Sequence, residues 1–119
     1  MFLFRRGQDR LTPERARMRT GDGTVVLLDV REMPEWKSGH APGALHLPLT
    51  RLLAGAVLPA EAQGRPVVAI CRSGHRSQQA AKLLAARGID VVDVIGGMTA
   101  WAKAGLPVVD ERGQGGSIA

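Results

Sequence analysis

A chain of 119 residues, 45% of them hydrophobic, holds one compact domain with one core, since domains commonly run to about 100–150 residues. No apolar stretch approaches the roughly 18 residues of a membrane span, and "MFLF" is too short for a signal peptide's apolar region, so a cytoplasmic protein with no membrane partner is expected. The net charge of +5 comes from thirteen Arg against three Lys, but with no Tyr and only four aromatic residues a nucleic-acid partner is not expected, and the charge reads as attraction for small anions or a solvated basic face.

Apolar runs and their punctuation predict the elements. Six arginines fall within the first twenty residues, and residues 1–10 form a basic N-terminal segment. In "LTPERARM", Thr12 is an N-cap and Pro13 a first helical residue, so a short helix starts there and ends near "TGDG". "TVVLLDV" is a continuous β-branched and aliphatic run, the pattern of a strand buried on both faces. "MPEWKSGH" gives one or two helical turns stopped by Gly39, "ALHLPL" a short strand closed by Pro48, and "TRLLAG" a short helix. After a "QGRP" turn, "VVAIC" is a second buried strand. "SQQAAKLLAARG" is a helix begun by Ser77, with Ala80, Ala81, Leu83 and Leu84 on its apolar side and Gly88 as its stop. "DVVDVIGG" adds a strand and "MTAWAKAG" a last short helix ended by Gly105. Strands alternating with helices predict an α/β domain over 11–109, a small parallel sheet with helices on both faces. "DERGQGGSIA", residues 110–119, has the composition of a flexible, disordered tail.

The chemistry concentrates in "CRSGHRS", which holds the only cysteine. One cysteine forms no internal disulfide, and His40, His46 and His75 lack the spacing of metal ligands, so a reduced thiol with no metal and no cofactor is expected. Cys71 sits where a strand ends and a helix begins, the place where open α/β sheets bind ligands. The helix N-terminus supplies partial positive charge and free N–H groups. Gly74 is free to adopt positive φ, which lets the loop curl with its amides inward as an anion-binding nest, and Arg72, His75 and Arg76 strengthen the same field. A thiol placed there is expected to ionise below the free value of about 8.5 and act as a nucleophile. A cysteine that merely filled a core would need no arginines and no flexible glycine around it.

Three blocks resemble the rhodanese domain. "LLDVREMPEWKSGHAPGALHLPL" is similar to that family's first hallmark, "CRSGHRS" to its active-site loop and "IGGMTAWAKAGLPV" to its closing segment, all in family order. The resemblance implies a rhodanese-like fold and sulfurtransferase activity. In that chemistry a thiolate takes the sulfane sulfur of thiosulfate or a similar small anionic donor, holds it as a persulfide, and passes it to cyanide, a thiol or a partner protein. By the same resemblance Cys71 is the catalytic cysteine. Arg72, Ser73, Gly74, His75, Arg76 and Ser77 bind substrate, with loop amides cradling the persulfide and Arg72 and Arg76 neutralising the leaving sulfite. Asp29 and Arg31 brace the cysteine loop or form a plain surface ion pair. His40 packs or hydrogen-bonds, Trp36 and Trp101 fill core or rim positions, and Gly96 and Gly97 allow close passage of the backbone.

Alternatives from other classes are a persulfide carrier or binding module without turnover, a cysteine phosphatase and an arsenate reductase. A cysteine phosphatase loop needs one more residue between cysteine and arginine to encircle phosphate. Because Cys71 has no second cysteine to resolve a persulfide, an external acceptor is required.

Overall fold

The computed structural model describes residues 10–119; the rest of the basic segment lies outside the described residues. Four strands, β1 (Val26–Asp29), β2 (Leu45–His46), β3 (Val67–Ile70) and β4 (Val91–Asp93), form one parallel sheet in the order β2-β1-β3-β4. Five helices connect and flank them: α1 (Pro13–Thr20), α2 (Met33–Ser38), α3 (Leu49–Leu53), α4 (His75–Ala86) and α5 (Gly97–Lys103). A 3₁₀ turn, Ala60–Ala62, precedes β3.

The side-chain alternation of each strand divides the core in two. Val26, Leu28 and Val30 project with Val67, Ala69 and Cys71 to one face, where Leu49 and Leu52 of α3 and Ala80 and Leu84 of α4 cover them. Val25, Leu27, Val68, Ile70, Val92 and Val94 project to the other, against Ala16 of α1 and Met98 and Trp101 of α5. Helices therefore lie on both faces, as the alternation of apolar runs predicts. With each fully buried aliphatic side chain contributing about 1.5–3 kcal/mol, both faces are needed to hold so short a sheet.

Local signals act where the sequence places them. Thr12 caps α1, its hydroxyl accepting from the Arg15 amide at 3.3 Å, and Pro13 follows at the first helical position. Just before it, Leu11 bridges to Val94: its amide donates to the Asp93 carbonyl at 3.0 Å and its carbonyl accepts from Ile95 at 2.8 Å. That bridge lays Arg10 beside the end of β4.

Two expectations are corrected. Helix α4 begins at His75 rather than Ser77, because Gly74 at φ 104 takes the cap position in the left-handed region and the two residues after it are already helical. Residues 110–119 do not read as a disordered tail. Val109 pairs antiparallel with both His40 and Gly115, the Ser117 amide donates to the Ser38 carbonyl at 3.0 Å, and Ile118 packs against the core beneath. The glycines that suggest disorder are what permit this contact: a Cβ on Gly39 would meet the backbone of Ser117, and one on Gly116 would lie 2.9 Å from the Gly39 Cα.

Candidate active site

Cys71 follows β3 directly, in the turn that ends at the Gly74 cap of α4. Its side chain is almost fully enclosed, at 1% exposure, yet it is not in purely apolar surroundings. The Gly74 amide donates to Sγ at 3.0 Å. The thiol donates to Ser77 Oγ at 3.4 Å, and that hydroxyl donates onward to Asp93 Oδ2 at 2.7 Å. An amide aimed at a buried sulfur is the arrangement that stabilises negative charge on it.

The loop is held in this shape from below by α5. Gly96 and Gly97 have φ of 74 and 58, and the amides of Met98 and Thr99 donate to the carbonyls of Cys71 and Arg72 at 2.7 and 2.9 Å. A Cβ at Gly97 would run into the Cys71 carbonyl. Only glycine allows so close a passage here, the role expected of this pair.

The loop arginines are both engaged. Arg76 makes a two-pronged ion pair with Glu35 of α2, Nη1 to Oε1 at 2.6 Å and Nη2 to Oε2 at 2.8 Å. Arg72 is exposed, and its Nε donates to the Ala119 carbonyl at 2.7 Å. Neither makes a hydrogen bond to the sulfur among the described residues. Ser73 and His75 are exposed at the rim, their Oγ and Nδ1 3.4 Å apart.

Glu35 serves two neighbours at once. Its carboxylate accepts the Glu32 amide at 3.1 Å, completing the capping box of α2, while it holds Arg76. The Arg76 hydrogen bonds keep the Glu35 carboxyl below the ordinary carboxylate range, and Glu35 in turn raises Arg76. A carboxylate so depressed stabilises the fold fully above its unfolded value of about 4.3, and loses that contribution as pH falls through the folded-state value. Glu35→Gln is therefore expected to lower stability at pH 7 by about 1 kcal/mol or less for this partly exposed pair. The difference from the parent should narrow as pH falls below about 4.3 toward the folded-state value. Urea midpoints at pH 7 and pH 3.5 measure it, and a deficit unchanged at the lower pH would contradict the assignment.

Asp29 and Arg31 are fully buried, at 0% exposure each, so the surface-pair reading is corrected: the sheet's end closes over them. Arg31 Nε and Nη2 both reach the Asp29 carboxylate, at 3.0 and 2.8 Å, and Nη2 also donates to the Gly39 carbonyl at 2.6 Å. Their hydrogen bonds brace the Gly39 turn; among the described residues none joins the pair to the cysteine loop. His40 Nδ1 donates to the Trp36 carbonyl at 2.8 Å, and His46 Nε2 to the Arg31 carbonyl at 2.7 Å. The Trp36 indole lies stacked on both imidazoles, with ring centroids 3.6 and 4.8 Å away. Trp101 is core, at 2% exposure, with Nε1 donating to the Pro107 carbonyl.

Sequence reasoning misses Arg10, Asp93, Glu35 and Gln78. Arg10 Nε and Nη2 reach the two Asp93 carboxylate oxygens at 2.8 and 3.0 Å, and Nη2 also donates to the Gly74 carbonyl at 3.0 Å. Gln78 Nε2 donates to the same carbonyl at 2.8 Å. An aspartate inside an otherwise apolar strand run is the one signal that could have pointed to this network.

Comparison with known proteins agrees with this fold. The chain is similar to the adenylyltransferase and sulfurtransferase UBA4 of Yarrowia lipolytica, 35% identical over 96 residues that cover 81% of this chain and 24% of that protein. It spans about half the length, or less, of the curated relatives it matches. A rhodanese-related protein of Thermoplasma volcanium superimposes with a TM-score of 0.73 at 29% identity, over 86% of this chain and 98% of that one. A thiosulfate sulfurtransferase of Pseudomonas aeruginosa does so with a TM-score of 0.71 at 25% identity, over 89% of this chain and 20% of that one. No helix among the described residues is long and apolar enough to cross a membrane. The rhodanese-like domain model matches residues 12–104, which include the sheet, all five helices up to the end of the last, and the whole cysteine loop: the chain belongs to the rhodanese-like domain family.

Proposed function

We propose that this chain is a sulfurtransferase that carries sulfane sulfur on Cys71. The Cys71 thiolate attacks the outer sulfur of thiosulfate or a similar anionic donor; the donor's S–S bond breaks, and sulfite leaves with the electron pair. The persulfide then meets an external nucleophile, cyanide or a thiol, which takes the outer sulfur and returns Cys71 as thiolate. With no second cysteine in the chain, turnover depends on the acceptor supplied. Cytoplasmic thiols or a partner protein's thiol would fill that role.

The observation that carries this reading is the Gly74 amide at 3.0 Å from a sulfur that is 1% exposed, at the start of α4. A hydrogen-bond donor fixed on the sulfur, together with the first turn of a helix, favours the anionic form in a place where a structural cysteine would meet only carbon. Ser73, His75 and Arg72 at the open rim are the groups available to an incoming anion. Arg76 adds positive charge near Cys71 even while paired with Glu35.

The test is the intact mass of the full chain after exposure to thiosulfate and removal of excess reagent. A gain of one sulfur atom, localised to Cys71 and lost on adding cyanide, is expected. No gain with thiosulfate or with a low-molecular-weight persulfide would overturn the proposal.

A further inference from the structure

The hydrogen bonds leaving Cys71 form a single chain that ends on a charged pair. Ser77 has one hydroxyl proton, and Asp93 Oδ2 holds it at 2.7 Å, so toward Cys71 the hydroxyl offers only a lone pair. That suits a thiol, which can donate. It does not suit a thiolate, which can only accept: either Ser77 turns its proton to the sulfur and leaves Asp93, or two electron-rich atoms face each other.

In both arrangements a carboxylate lies one hydroxyl away from the sulfur. Cys71, Ser77 and Asp93 are all buried, Asp93 at 3% exposure, so little water screens this like-charge neighbour. Arg10 answers the conflict. It donates to both Asp93 oxygens, which matches the carboxylate's charge and leaves Oδ2 with a donor when Ser77 turns away. Asp93 reaches this position because β4 runs parallel beside β3, and Arg10 because Leu11 bridges to the end of β4.

We propose that Arg10 is a positioning residue that, by compensating Asp93, frees Ser77 to serve the Cys71 thiolate. Its relevance to sulfur transfer rests on the function proposed above, whereas its effect on the sulfur's reactivity does not. The other charges around the sulfur are accounted for separately. Arg76 of α4 is matched by Glu35 of α2, Asp29 and Arg31 at the end of β1 close on each other, Arg72 stands exposed in the loop and His75 exposed at the start of α4. Loss of Arg10 leaves the Gly74 carbonyl its second donor, Gln78.

The experiment follows iodoacetamide alkylation of Cys71 in the full chain from pH 5 to 9, with the circular dichroism of each variant as a check on folding. Arg10→Ala should slow alkylation at neutral pH by about tenfold and move the profile's midpoint upward, since it bares the carboxylate. Asp93→Asn should do the opposite, speeding alkylation and moving the midpoint downward, since it leaves Arg10 unmatched. The double variant should return toward the parent, and Arg10→Lys should resemble it. Packing damage alone predicts something different: both single variants move the same way and the double is no better. That pattern, or profiles that do not move, would overturn the proposal. If Arg10→Ala does not fold, Asp93→Asn decides alone, with a slowed or unchanged rate as the negative result. Thiosulfate loading of the parent is run beside these. A parent that loads no sulfur counts against the proposed function, while the alkylation series still decides the role of Arg10.

Discussion

Cys71→Ala is expected to form no thiocyanate from thiosulfate and cyanide and to gain no sulfur by mass, while folding as the parent does. The reaction needs a nucleophile to hold the transferred sulfur covalently, and no other thiol exists in the chain to substitute. Removing the nucleophile from a covalent mechanism costs on the order of 10⁴-fold or more in rate, which here means the background of thiosulfate and cyanide in buffer. The structural cost is small by comparison. The sulfur is one atom at the edge of the core face made by Val67, Ala69 and Ala80, and its loss leaves a void smaller than those that cost several kcal/mol in large-to-small substitutions. A fall in stability of about 1–2 kcal/mol is expected, visible in a urea titration and far too small to explain a lost activity. Thiocyanate formation retained in Cys71→Ala, against a parent that loads sulfur, would place the chemistry elsewhere.

The sheet is legible in the sequence because parallel strands buried on both faces must be continuous apolar runs, and "TVVLLDV", "VVAIC" and "DVVDV" are such runs bounded by glycine, proline or charge. The cysteine loop is legible for a related reason: its arginines, serines and glycine make no sense as core. Which charged groups meet across the sheet is not legible. Arg10 and Asp93 are 83 residues apart, and Arg76 and Glu35 are 41 apart. Their pairing comes from strand order, not from any local pattern, and a basic N-terminal segment looks the same whether its last arginine points to solvent or to the end of β4. The tail misleads by composition. Glycines at 113, 115 and 116 lower the apparent drive to fold, yet Gly116 is the residue small enough to cross Gly39, and Ile118 packs on the core and anchors the end of the chain. The start of α4 is displaced by two residues from its expected place because a left-handed glycine can cap a helix without the side-chain signal that serine or threonine gives at other N-termini.

Asp29→Ala carries the largest expected effect on stability, about 3–5 kcal/mol, because it leaves the Arg31 guanidinium buried without its counter-charge. Against a total stability of about 5–15 kcal/mol, that loss brings a small domain close to its unfolding threshold. The pair itself is not a strong net stabiliser. Both groups are withdrawn from water completely, and Arg31 Nη1 finds no hydrogen-bond partner among the described residues, so their mutual attraction offsets the desolvation only in part. Replacing both at once, Asp29→Leu with Arg31→Met, should therefore cost much less than Asp29→Ala alone. The residual cost belongs to the Gly39 carbonyl, which loses the 2.6 Å bond from Nη2, and to the residue-31 backbone amide, which loses the Asp29 oxygen it donates to at 3.0 Å, about 1–3 kcal/mol for each buried group left unpaired. The parallel loss at the turn matters for function as well as stability: Gly39 adjoins His40 and the strap of residues 115–119, whose Ala119 carbonyl accepts from Arg72, so loosening it should raise the thiosulfate KM more than it lowers kcat. Urea titrations of the parent, the single variants and the double variant close the cycle. A single Asp29→Ala that costs less than about 1 kcal/mol would show that no uncompensated buried charge is left behind, and a double variant as costly as Asp29→Ala would show that the pair is a net stabiliser.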